Sequence, residues 1–420
     1  MKLLVVGSGG REHAVIRKLK ENKEIEKIYC APGNGGISAD AECVDIKATD
    51  KENMVKFAKE NAIDFCVVTP DDPLALGMVD VMEEAGIPCF GPKANAAIIE
   101  ASKAFSKDLM KKYGIPTADY ETFDNEKDAL HYIEEKNTFP IVIKADGLAL
   151  GKGVLICETL DDAKTALREM MVDHVFGLSG NKVVVEEFMT GKEVSVLAFT
   201  DGNVVKPMIS SMDHKRAYDN DEGLNTGGMG TIAPSPYYTK EIAETCMETI
   251  FLPTVKAMNA EGRTFKGCLY FGLMLTPKGP RVVEYNCRFG DPETQVVLPL
   301  LNSDLLTIMK ACHDGTLKDV DVVWSEEACA CVVEASGGYP VKYEKGFEIH
   351  GLDENGQHDG VIVYHAGTKK ENGKFYTNAG RVLGITAKGA TLQDALDKAY
   401  EAVKEIGFDK MHYRTDIGKK

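Results

Sequence analysis

Short apolar runs alternate with helical patterns in the first hundred residues of the chain. Residues 3–6 form an apolar run that predicts a buried strand, and the spacing of Ala14, Ile16 and Leu19 predicts the helix that follows. A glycine-rich turn, residues 7–13, connects the two. Because a helix that begins after such a turn offers free N–H groups and a positive dipole end, the turn is a candidate phosphate site.

The turn does not match the dinucleotide fingerprint. Its third glycine would fall at Glu12, and no acidic residue closes the next apolar run, residues 28–30. A nicotinamide or flavin dinucleotide is therefore not expected. Two further polar loops, residues 31–36 and 69–73, follow the next predicted strands. Open α/β sheets bind ligands at the carboxyl ends of their strands, so a ligand site is expected here, although each loop alone is also consistent with a simple turn.

A second phosphate grip is predicted near residue 150. Lys144 ends a buried apolar run, and Gly151, Lys152 and Gly153 lead into a second run at residues 154–156, which predicts a hairpin. Glycine lets the backbone approach a phosphate closely, and the lysines supply charge. A Walker loop would continue into a helix after Gly-Lys-Ser/Thr, so a different nucleotide-binding loop is expected.

Carboxylates and long polar loops follow in the middle of the chain. The run 183–189 turns at residues 190–192 and returns as a strand at residues 193–200. Glu186 lies where a carboxylate can accept ribose hydroxyls, although solvated glutamates are common at hairpin ends. Residues 210–218 and 225–230 form a long polar loop, a length that is usually functional in a compact domain. His214 has no visible partner, so we interpret it as a binding or structural histidine rather than a general base.

Charged side chains crowd the end of another predicted strand. Val282 and Val283 favour a strand, and alternation places Glu284 and Asn286 on one face. A carboxylate and an amide oxygen suit Mg²⁺, which usually takes its remaining ligands from water and substrate phosphates. The turn at residues 290–292 then leaves Arg288, Asp291 and Glu293 at its rim. A solvated loop with surface ion pairs is the alternative.

The remaining patterns predict helices and a small final domain. Residues 94–113 and 296–311 each predict one continuous helix. Short strands at residues 329–333, 360–367 and 381–387, followed by a helix at 391–406, predict a small α/β domain. A chain of 420 residues exceeds what one core usually serves, so two to four domains are expected.

Composition narrows the class of protein. A net charge of -16 argues against general nucleic-acid binding. No apolar run is long enough to span a membrane, and the N-terminal run is too short for a signal peptide, so a cytoplasmic protein with no membrane partner is expected. The 11 cysteines show no zinc or redox spacing and are interpreted as reduced core residues.

Several motifs together resemble one known family. They are Gly9-Gly10-Arg11-Glu12-His13, Ala31-Pro32-Gly33-Asn34, Asp72-Pro73-Leu74-Ala75, Lys144-Ala145-Asp146-Gly147-Leu148-Ala149, Gly151-Lys152-Gly153-Val154, Asp213-His214-Lys215-Arg216, Asn225-Thr226-Gly227-Gly228-Met229-Gly230 and Arg288-Phe289-Gly290-Asp291-Pro292-Glu293-Thr294-Gln295. In this order they resemble the glycinamide ribonucleotide synthetase (phosphoribosylamine–glycine ligase) family, in its bacterial single-function form.

The resemblance implies an α/β and α+β multidomain chain with an ATP-grasp fold. It implies a Rossmann-like substrate-binding domain at residues 1–100, a central ATP-grasp domain at 101–120 and 191–325, a flap at 121–190 and a C-terminal domain at 326–420. The implied reaction phosphorylates glycine with ATP and transfers the glycyl group to phosphoribosylamine, as a step of purine biosynthesis. The substrates are small molecules, the cofactor is Mg²⁺ or Mn²⁺, and a monomer is expected.

The resemblance also implies site residues. For ATP they are Lys103, Lys144, Gly151, Lys152, Gly153, Glu186, Glu187, Phe188 and Glu193, with Lys107 a rival to Lys103. For phosphoribosylamine they are Gly9, Gly10, Arg11, Glu12, His13, Asn34, Asp72, Pro73, Asn225, Gly227 and Gly228. Asp213, Arg288 and Asp291 are implied around the reacting glycine, and Glu284 and Asn286 at the metal.

One departure from the wider superfamily leaves the number of metal ions open. Many members carry a further acidic metal ligand on an earlier strand, whereas residues 270–274 contain no carboxylate. Two other readings of the sequence remain. The chain could be a carboxylating or formate-using relative, or a nucleotide-binding regulatory module without turnover.

Overall fold

The computed structural model describes residues 1–149 and 151–419. The first part is a parallel sheet with strand order β3-β2-β1-β4-β5. Its strands are β1 (Lys2–Gly7), β2 (Lys27–Pro32), β3 (Glu42–Cys43), β4 (Phe65–Val68) and β5 (Cys89–Phe90). Its helices are α1 (Gly10–Leu19), α2 (Lys51–Glu60), α3 (Asp71–Ala75) and α4 (Met78–Glu84). The predicted strand, turn and helix at the start of the chain are confirmed.

Both faces of β1 are buried, as an apolar run without alternation predicts. Leu4 and Val6 pack in a cluster that continues to Phe271 in the middle of the chain. Leu3 and Val5 pack in another that reaches Cys331 near the C-terminal end. The N-terminal sheet is therefore joined through its core to both later parts.

Two helices follow, α5 (Ala94–Ala101) and α6 (Lys103–Tyr113), where the sequence predicted one. The single helix is wrong because Ser102 is extended, with φ -133° and ψ 112°, and its side chain accepts a hydrogen bond from the N–H of Phe105. Gly114 ends α6 in the left-handed conformation, with φ 69°, as predicted.

Residues 120–187 form an antiparallel sheet, the flap sheet, with strand order β6-β9-β7-β8. Its elements are β6 (Tyr120–Phe123), α7 (Glu126–Lys136), β7 (Ile141–Ala145), β8 (Val154–Cys157), α8 (Leu160–Met171) and β9 (Val183–Glu187). Its apolar side chains, such as Ile143, Leu167 and Val185, form a separate cluster. The predicted hairpin around Gly151–Gly153 is confirmed by the antiparallel pairing of β7 with β8.

The central sheet has strand order β11-β10-β16-β17. Between β11 and β16 the chain also forms the hairpin β13–β14 and the strands β12 and β15, which belong to the sheet of the last part of the chain. The elements are β10 (Lys192–Thr200), β11 (Val205–Pro207), β12 (Met212–Asp213), β13 (Arg216–Tyr218), β14 (Glu222–Asn225), β15 (Gly230–Ala233), α9 (Lys240–Cys246), α10 (Leu252–Ala260), β16 (Gly267–Thr276), β17 (Gly279–Asn286), α11 (Thr294–Val297) and α12 (Leu305–Asp314). A π-helical segment, Met247–Phe251, joins α9 to α10.

The single helix predicted over residues 296–311 is wrong. After α11 the chain passes through a 3-10 turn, Leu298–Leu300, and Leu301 forms an extended bridge to Trp324. A new helix then starts at α12, where Asp304 accepts a hydrogen bond from the N–H of Thr307. The apolar residues of this segment are buried, but Pro299 and the Asp304 cap divide the segment into two helices.

The last part of the chain is built on β18 (Ala328–Ser336), β19 (Ile362–His365), β20 (Thr368–Glu371), β21 (Lys374–Thr377), β22 (Arg381–Gly389), α13 (Leu392–Val403) and β23 (Met411–His412). Its sheet has the order β12-β15-β18-β22-β19, with β23 paired to β18. Because β12 and β15 come from residues 212–233, this sheet takes strands from the middle of the chain. The polar loops of the central and final parts are thereby brought together.

Candidate active site

Glu284 and Asn286 lie at the end of β17, as the strand pattern predicted. Burial alone would raise the pKa of Glu284, but the charges of Lys215, Lys144 and Lys103 hold it below the usual range. Glu284 is therefore a carboxylate surrounded by cations. Such an arrangement suits a site that takes up a polyanion.

Glu100 on α5 fixes the segment that follows Glu284. Its carboxylate accepts hydrogen bonds from Asn286 Nδ2 at 2.9 Å and from the N–H of Cys287 at 2.8 Å, and it pairs with Arg288 Nη2 at 3.0 Å. With its amide nitrogen held by Glu100, Asn286 can offer its oxygen to a cation. The sequence analysis missed Glu100, because nothing in the sequence connects it to a segment 186 residues away.

Lys144 is the penultimate residue of β7 and reaches across to the central sheet. Its ammonium lies 3.0 Å from Glu186 Oε2 and donates to the carbonyl of Val283 at 3.2 Å. Glu186 is 4% exposed, and its other oxygen has no hydrogen-bond partner among the described residues. That oxygen lies 3.6 Å from the ammonium of Lys107. A buried carboxylate with no hydrogen bond at one oxygen is where a ligand donor would be accommodated.

The two rival lysines of α6 have different surroundings. The Lys107 ammonium is 2% exposed and donates to Thr117 Oγ1 at 2.7 Å and to the carbonyl of Ala118 at 3.0 Å. The Lys103 ammonium donates to the carbonyl of Gly147 at 2.8 Å. Burial lowers the pKa of Lys103, and among the charges around it Glu284 opposes this most strongly.

The loop between β7 and β8 is tightly packed at its base and exposed at its tip. A Cβ on Gly147 would lie 2.3 Å from Ser179 Oγ, and one on Gly153 would lie 2.6 Å from the Ala149 Cβ. Gly151 and Lys152 are exposed. The backbone of this loop can therefore approach a ligand at the tip.

Three further residues implied for ATP lie along β9 and β10. Glu187 accepts from Arg281 Nη2 at 2.6 Å, whereas the side chain of Phe188 is 39% exposed. Glu193 lies 3.4 Å from the ammonium of Lys215. This ion pair is the largest cause of a pKa for Lys215 well above its usual value.

Half-buried Asp213 and buried Glu293 form an acidic pair within the field of Lys215. Burial and the charge of Glu293 raise the pKa of Asp213, and burial raises that of Glu293. Tyr270 donates to Glu293 Oε1 at 3.1 Å, and its hydroxyl is 2.7 Å from that of Ser195. Lys215, Tyr270 and Glu293 were not among the predicted site residues.

The turn 288–295 is fixed from the last part of the chain by Arg381. The Arg381 guanidinium donates to the carbonyl of Asp291 at 3.0 Å and lies 3.5 Å from its carboxylate. It also donates to the carbonyl of Gly227 at 2.8 Å. Burial would raise the pKa of Asp291, but the charges of Arg381 and Arg11 and the hydrogen bond from Gln295 together outweigh it and lower this pKa. No sequence pattern indicated Arg381.

The glycine loop 225–230 packs directly on this turn. Gly228 has φ +121°, and a Cβ there would lie 2.4 Å from Pro292 Cδ. Gly227 donates its N–H to the hydroxyl of Tyr339 at 3.0 Å, whereas Asn225 is exposed. Only a residue without a side chain fits at position 228.

The N-terminal turn approaches the same region. A Cβ on Gly10 would lie 2.6 Å from Gln295 Nε2, and one on Gly9 would lie 3.3 Å from Asp291 Oδ2. Arg11 donates to the carbonyl of Phe289 at 3.2 Å. The first loop of the parallel sheet therefore touches the turn 288–295.

Other residues of the N-terminal loops have internal partners. Glu12 accepts from the N–H of Gly9 at 2.6 Å and from Thr69 at 2.7 Å. His13 Nε2 is 2.8 Å from Asp40, and its Nδ1 accepts from the N–H of His365 at 2.9 Å. These contacts orient the loops and connect them to the last part of the chain.

The loops after β2 and β4 differ in exposure. Asn34 accepts at Oδ1 from the N–H groups of residues 36 and 37, and its Nδ2 donates to the carbonyl of His365 at 2.8 Å. Asp72 is exposed near the start of α3, and burial together with the charge of Asp71 raises its pKa. Pro73 is buried. Asp72 is thus free to face a ligand, whereas Asn34 holds its own loop.

His214 has partners on both ring nitrogens. Its Nε2 accepts from the N–H of Gly418 at 3.1 Å, so Nδ1 carries the proton and donates to the carbonyl of Gly230 at 3.1 Å. Burial lowers the pKa of His214 to about 4. The side chain is a neutral structural group, consistent with its interpretation from the sequence.

Residues 1–149 and 151–419 contain neither a clustered metal site nor a membrane-spanning helix. No group of three or more His, Cys, Asp or Glu side chains is arranged to hold a metal ion. No helix in these residues is long and apolar enough to cross a membrane.

Comparison with protein families gives a consistent match along the chain. Residues 1–100 match the phosphoribosylglycinamide synthetase N domain, residues 101–294 match its ATP-grasp (A) domain, and residues 329–420 match its C domain.

Individual relatives cover the whole length. The chain is 49% identical to a phosphoribosylamine–glycine ligase of Caldanaerobacter subterraneus, over 99% of both chains. It is 48% identical to one of Clostridium acetobutylicum, over 100% of both. The crystal structure of the corresponding ligase of Thermotoga maritima superimposes with a TM-score of 0.88 and 32% identity, over 100% of both chains.

A more distant structure shares the fold alone. The biotin carboxylase domain of 2-oxoglutarate carboxylase from Hydrogenobacter thermophilus, a structure containing MgADP, gives a TM-score of 0.75 at 18% identity. The match covers 98% of this chain and 91% of that one. The multidomain α/β fold expected from the sequence is therefore confirmed.

Proposed function

The chain belongs to the phosphoribosylglycinamide synthetase family of ATP-grasp enzymes, and from this premise we propose a mechanism through a glycyl phosphate. It is an ATP-dependent phosphoribosylamine–glycine ligase of purine biosynthesis. The proposal concerns the intermediate and the residues that act on it.

Two transfers account for the products. A carboxylate oxygen of glycine attacks the γ-phosphorus of ATP, and ADP leaves with the electrons of the broken P–O bond. The amine nitrogen of phosphoribosylamine then attacks the glycyl carbonyl carbon, and phosphate leaves as the nitrogen loses a proton. Neither step requires a protein nucleophile, so positioning and charge neutralisation supply the catalysis.

At the ATP end, Lys103 and Lys144 neutralise the phosphates. Lys103 is favoured over Lys107 at the phosphates. Among the charges around Lys103, that of Glu284 stabilises its ammonium most strongly, whereas the Lys107 ammonium donates to Thr117 Oγ1 and to the carbonyl of Ala118. The loop with Gly151, Lys152 and Gly153 covers the phosphates.

The base and sugar of ATP bind along β9 and β10. Glu186 has a buried oxygen without a hydrogen bond, 3.6 Å from the Lys107 ammonium, for the adenine edge, with Glu187 and the backbone of Phe188 beside it. Glu193, on the exposed start of β10, accepts from the ribose hydroxyls. Arg281 holds Glu187 in place at 2.6 Å.

The donor set at the end of β17 fits Mg²⁺ or Mn²⁺. Glu284 is kept ionised, and the amide nitrogen of Asn286 is occupied by Glu100, which leaves its oxygen as the donor. Two protein oxygens match a hard cation that takes its other ligands from phosphates and water. When bound, the ion would neutralise phosphate charge. Glu284 and Asn286 would hold it.

The glycine and phosphoribosylamine end lies around the turn 288–295. Arg288 and Asp291 are the residues proposed next to glycine, with Asp213 facing them from β12. Three loops of the N-terminal part hold the ribose phosphate, either directly or by supporting the loop backbone. They contain Gly9, Gly10, Arg11, Glu12 and His13 in the first, Asn34 in the second, and Asp72 and Pro73 in the third. Asn225, Gly227 and Gly228 close the other side.

One observation carries this proposal: Glu284 lies within the field of four cations contributed by four separate segments of the chain. Those cations are Lys103, Lys144, Lys215 and Arg288. A regulatory module without turnover would not need a half-buried carboxylate amid four cations, and the relatives argue against a carboxylating enzyme.

The test is ADP release measured with each substrate omitted in turn. ADP is expected only when glycine and phosphoribosylamine are both present. Equal ADP release with another amino acid, or with bicarbonate, would contradict the proposal.

We also propose that the enzyme is a cytoplasmic monomer that acts without nucleic acid. All eleven cysteines are free thiols, and all except Cys43 are buried, which is typical of a reducing compartment. The net charge of -16 opposes binding to a polyanionic backbone.

A further inference from the structure

The hairpin β13–β14, residues 216–225, is attached to the rest of the molecule mainly through polar contacts. It follows directly after Asp213 and Lys215, which face the proposed reaction centre. Most of its residues are exposed, including Tyr218 at 49% and Leu224 at 56%. A hairpin with few buried apolar side chains cannot hold its own position by packing. Its orientation must come from specific contacts outside it.

Those contacts come from the tail of the chain, residues 412–418. The side chain of Arg414 is completely buried and binds the carboxylate of Asp416 with two nitrogens, both at 2.8 Å. Its third nitrogen lies 3.0 Å from Asp221 Oδ1 and donates to the carbonyl of Arg216 at 3.2 Å. Arg414 thus connects the tail to Arg216, where the hairpin begins, and to Asp221, just before β14.

Neighbouring tail residues bind the same hairpin. The N–H of Thr415 donates to Asp219 Oδ1 at 2.8 Å, and the N–H of Asn220 donates to Asp416 Oδ2 at 2.9 Å. His412 Nε2 is 2.6 Å from the carbonyl of Ala217. The hairpin turn is therefore held along its length by the tail.

The tail is itself fixed to the last part of the fold. β23 pairs with the end of β18, and the hydroxyl of Tyr400 on α13 donates to the carbonyl of Arg414 at 2.8 Å. The N–H of Gly418 donates to His214, the residue between Asp213 and Lys215. A rigid anchor therefore reaches the segment that carries the proposed site residues.

We propose that Arg414 is a positioning residue for the acceptor side of the site: it holds hairpin 216–225 so that Asp213, just before it, and Asn225, at its end, face glycine and phosphoribosylamine. This inference rests on the proposed function of those two residues. A buried guanidinium that binds two carboxylates and a carbonyl has a fixed geometry, which a lysine cannot reproduce. Small displacements of positioning groups are enough to impair a reaction strongly.

The experiment compares Arg414→Lys with the wild type by steady-state kinetics and by amide hydrogen exchange. The KM values for glycine and phosphoribosylamine are expected to rise on the order of tenfold, while the KM for ATP stays the same. Amides of residues 215–226 are expected to exchange faster. Lys404→Met, which removes an exposed ion pair with Glu401 on α13, is the matched control and should change neither measurement.

A milder variant keeps the test decisive if Arg414→Lys does not fold. Asp219→Ala removes the hydrogen bonds to Thr415 from the partly exposed hairpin turn and leaves the buried arginine intact. It should give smaller changes of the same kind. Faster exchange with unchanged KM values, or raised KM values with unchanged exchange, overturns the inference. If the wild type itself shows no glycine-dependent turnover, the proposed function fails. Amide hydrogen exchange of residues 215–226 then tests only whether Arg414 anchors the hairpin.

Discussion

Glu284 is the single residue on which the proposed chemistry depends most. Replacing it with glutamine removes a negative charge at nearly constant volume, so Glu284→Gln should fold normally and lose turnover by at least about 100-fold. ADP release at saturating Mg²⁺, with a thermal unfolding curve, checks both parts. Glu60→Gln, on the exposed face of α2, is the control. Near-normal turnover of Glu284→Gln would mean that the metal lies elsewhere.

Glu334 offers a second residue-scale prediction, away from the site. Its side chain is fully buried in β18, and neither carboxylate oxygen has a hydrogen-bond partner among the described residues. Burial raises the pKa of Glu334 well above the usual value. The native state therefore keeps a proton that the unfolded state releases, and this group lowers the free energy of unfolding as pH rises above the glutamate pKa in the unfolded chain.

The variant Glu334→Gln removes that titration. Between about pH 5 and about pH 8, its free energy of unfolding should improve relative to the wild type, as measured by urea denaturation at both pH values. Glu60→Gln should show no such change. A difference between Glu334→Gln and wild type that is the same at both pH values would show that Glu334 does not titrate in this window.

Residues differ in how far the sequence predicts their place. Lys144 and Glu284 were predicted because each ends an apolar strand, and strand alternation is a local property. Glu100 and Arg381 were not, because each acts on a segment far along the chain. Their contacts exist only once α5 and β22 pack against the turn 288–295.

At the scale of elements, the start of α6 is held by a residue next to β7 of the flap sheet. Asp146, just after β7, accepts from the N–H of Ala104 at 2.8 Å and from the hydroxyl of Ser102 at 3.0 Å. Asp146, which follows a strand of the flap sheet, therefore caps a helix outside that sheet and fixes the backbone on both sides of Lys103. Periodicity predicted one helix over residues 94–113 because it does not register the extended cap Ser102, and the residue that holds Ser102, Asp146, is 44 residues away.

Asp146→Ala should therefore raise the KM for ATP on the order of tenfold and leave that for glycine unchanged. Loss of a cap alone costs about 1 kcal/mol of stability. Asp50→Ala, which removes the corresponding cap of α2, is the matched control and should lose stability without changing the KM for ATP. Equal kinetic effects of the two variants would show that Asp146 acts only as a cap.

At the scale of the whole molecule, the last part of the chain completes the site. Arg381 on β22 and Tyr339 in the turn after β18 hold the loop 225–230, and the sheet of β18 and β22 includes β12 and β15 from the middle of the chain. The sequence predicted this part as a small separate α/β domain. Its contribution to the site could not be predicted, because it depends on strands joining across 95 or more residues, such as Ala233 with Cys329.

A monomer is the oligomeric state proposed for this molecule. Sedimentation velocity over a wide concentration range should give one species with the mass of a single chain, with and without ATP. The site draws every proposed group from one chain, so the specific activity should not change on dilution. A dimer that persists at the lowest concentration, or activity lost on dilution, would contradict a functional monomer.

The most direct test of the mechanism follows an oxygen atom of glycine. In the proposed sequence a carboxylate oxygen attacks the γ-phosphorus and then leaves with phosphate when the amine attacks the carbonyl carbon. Glycine labelled with ¹⁸O in its carboxylate should therefore transfer one labelled oxygen to each inorganic phosphate formed in the presence of phosphoribosylamine, as measured by mass spectrometry. Unlabelled phosphate from a reaction that makes the amide would contradict the glycyl phosphate.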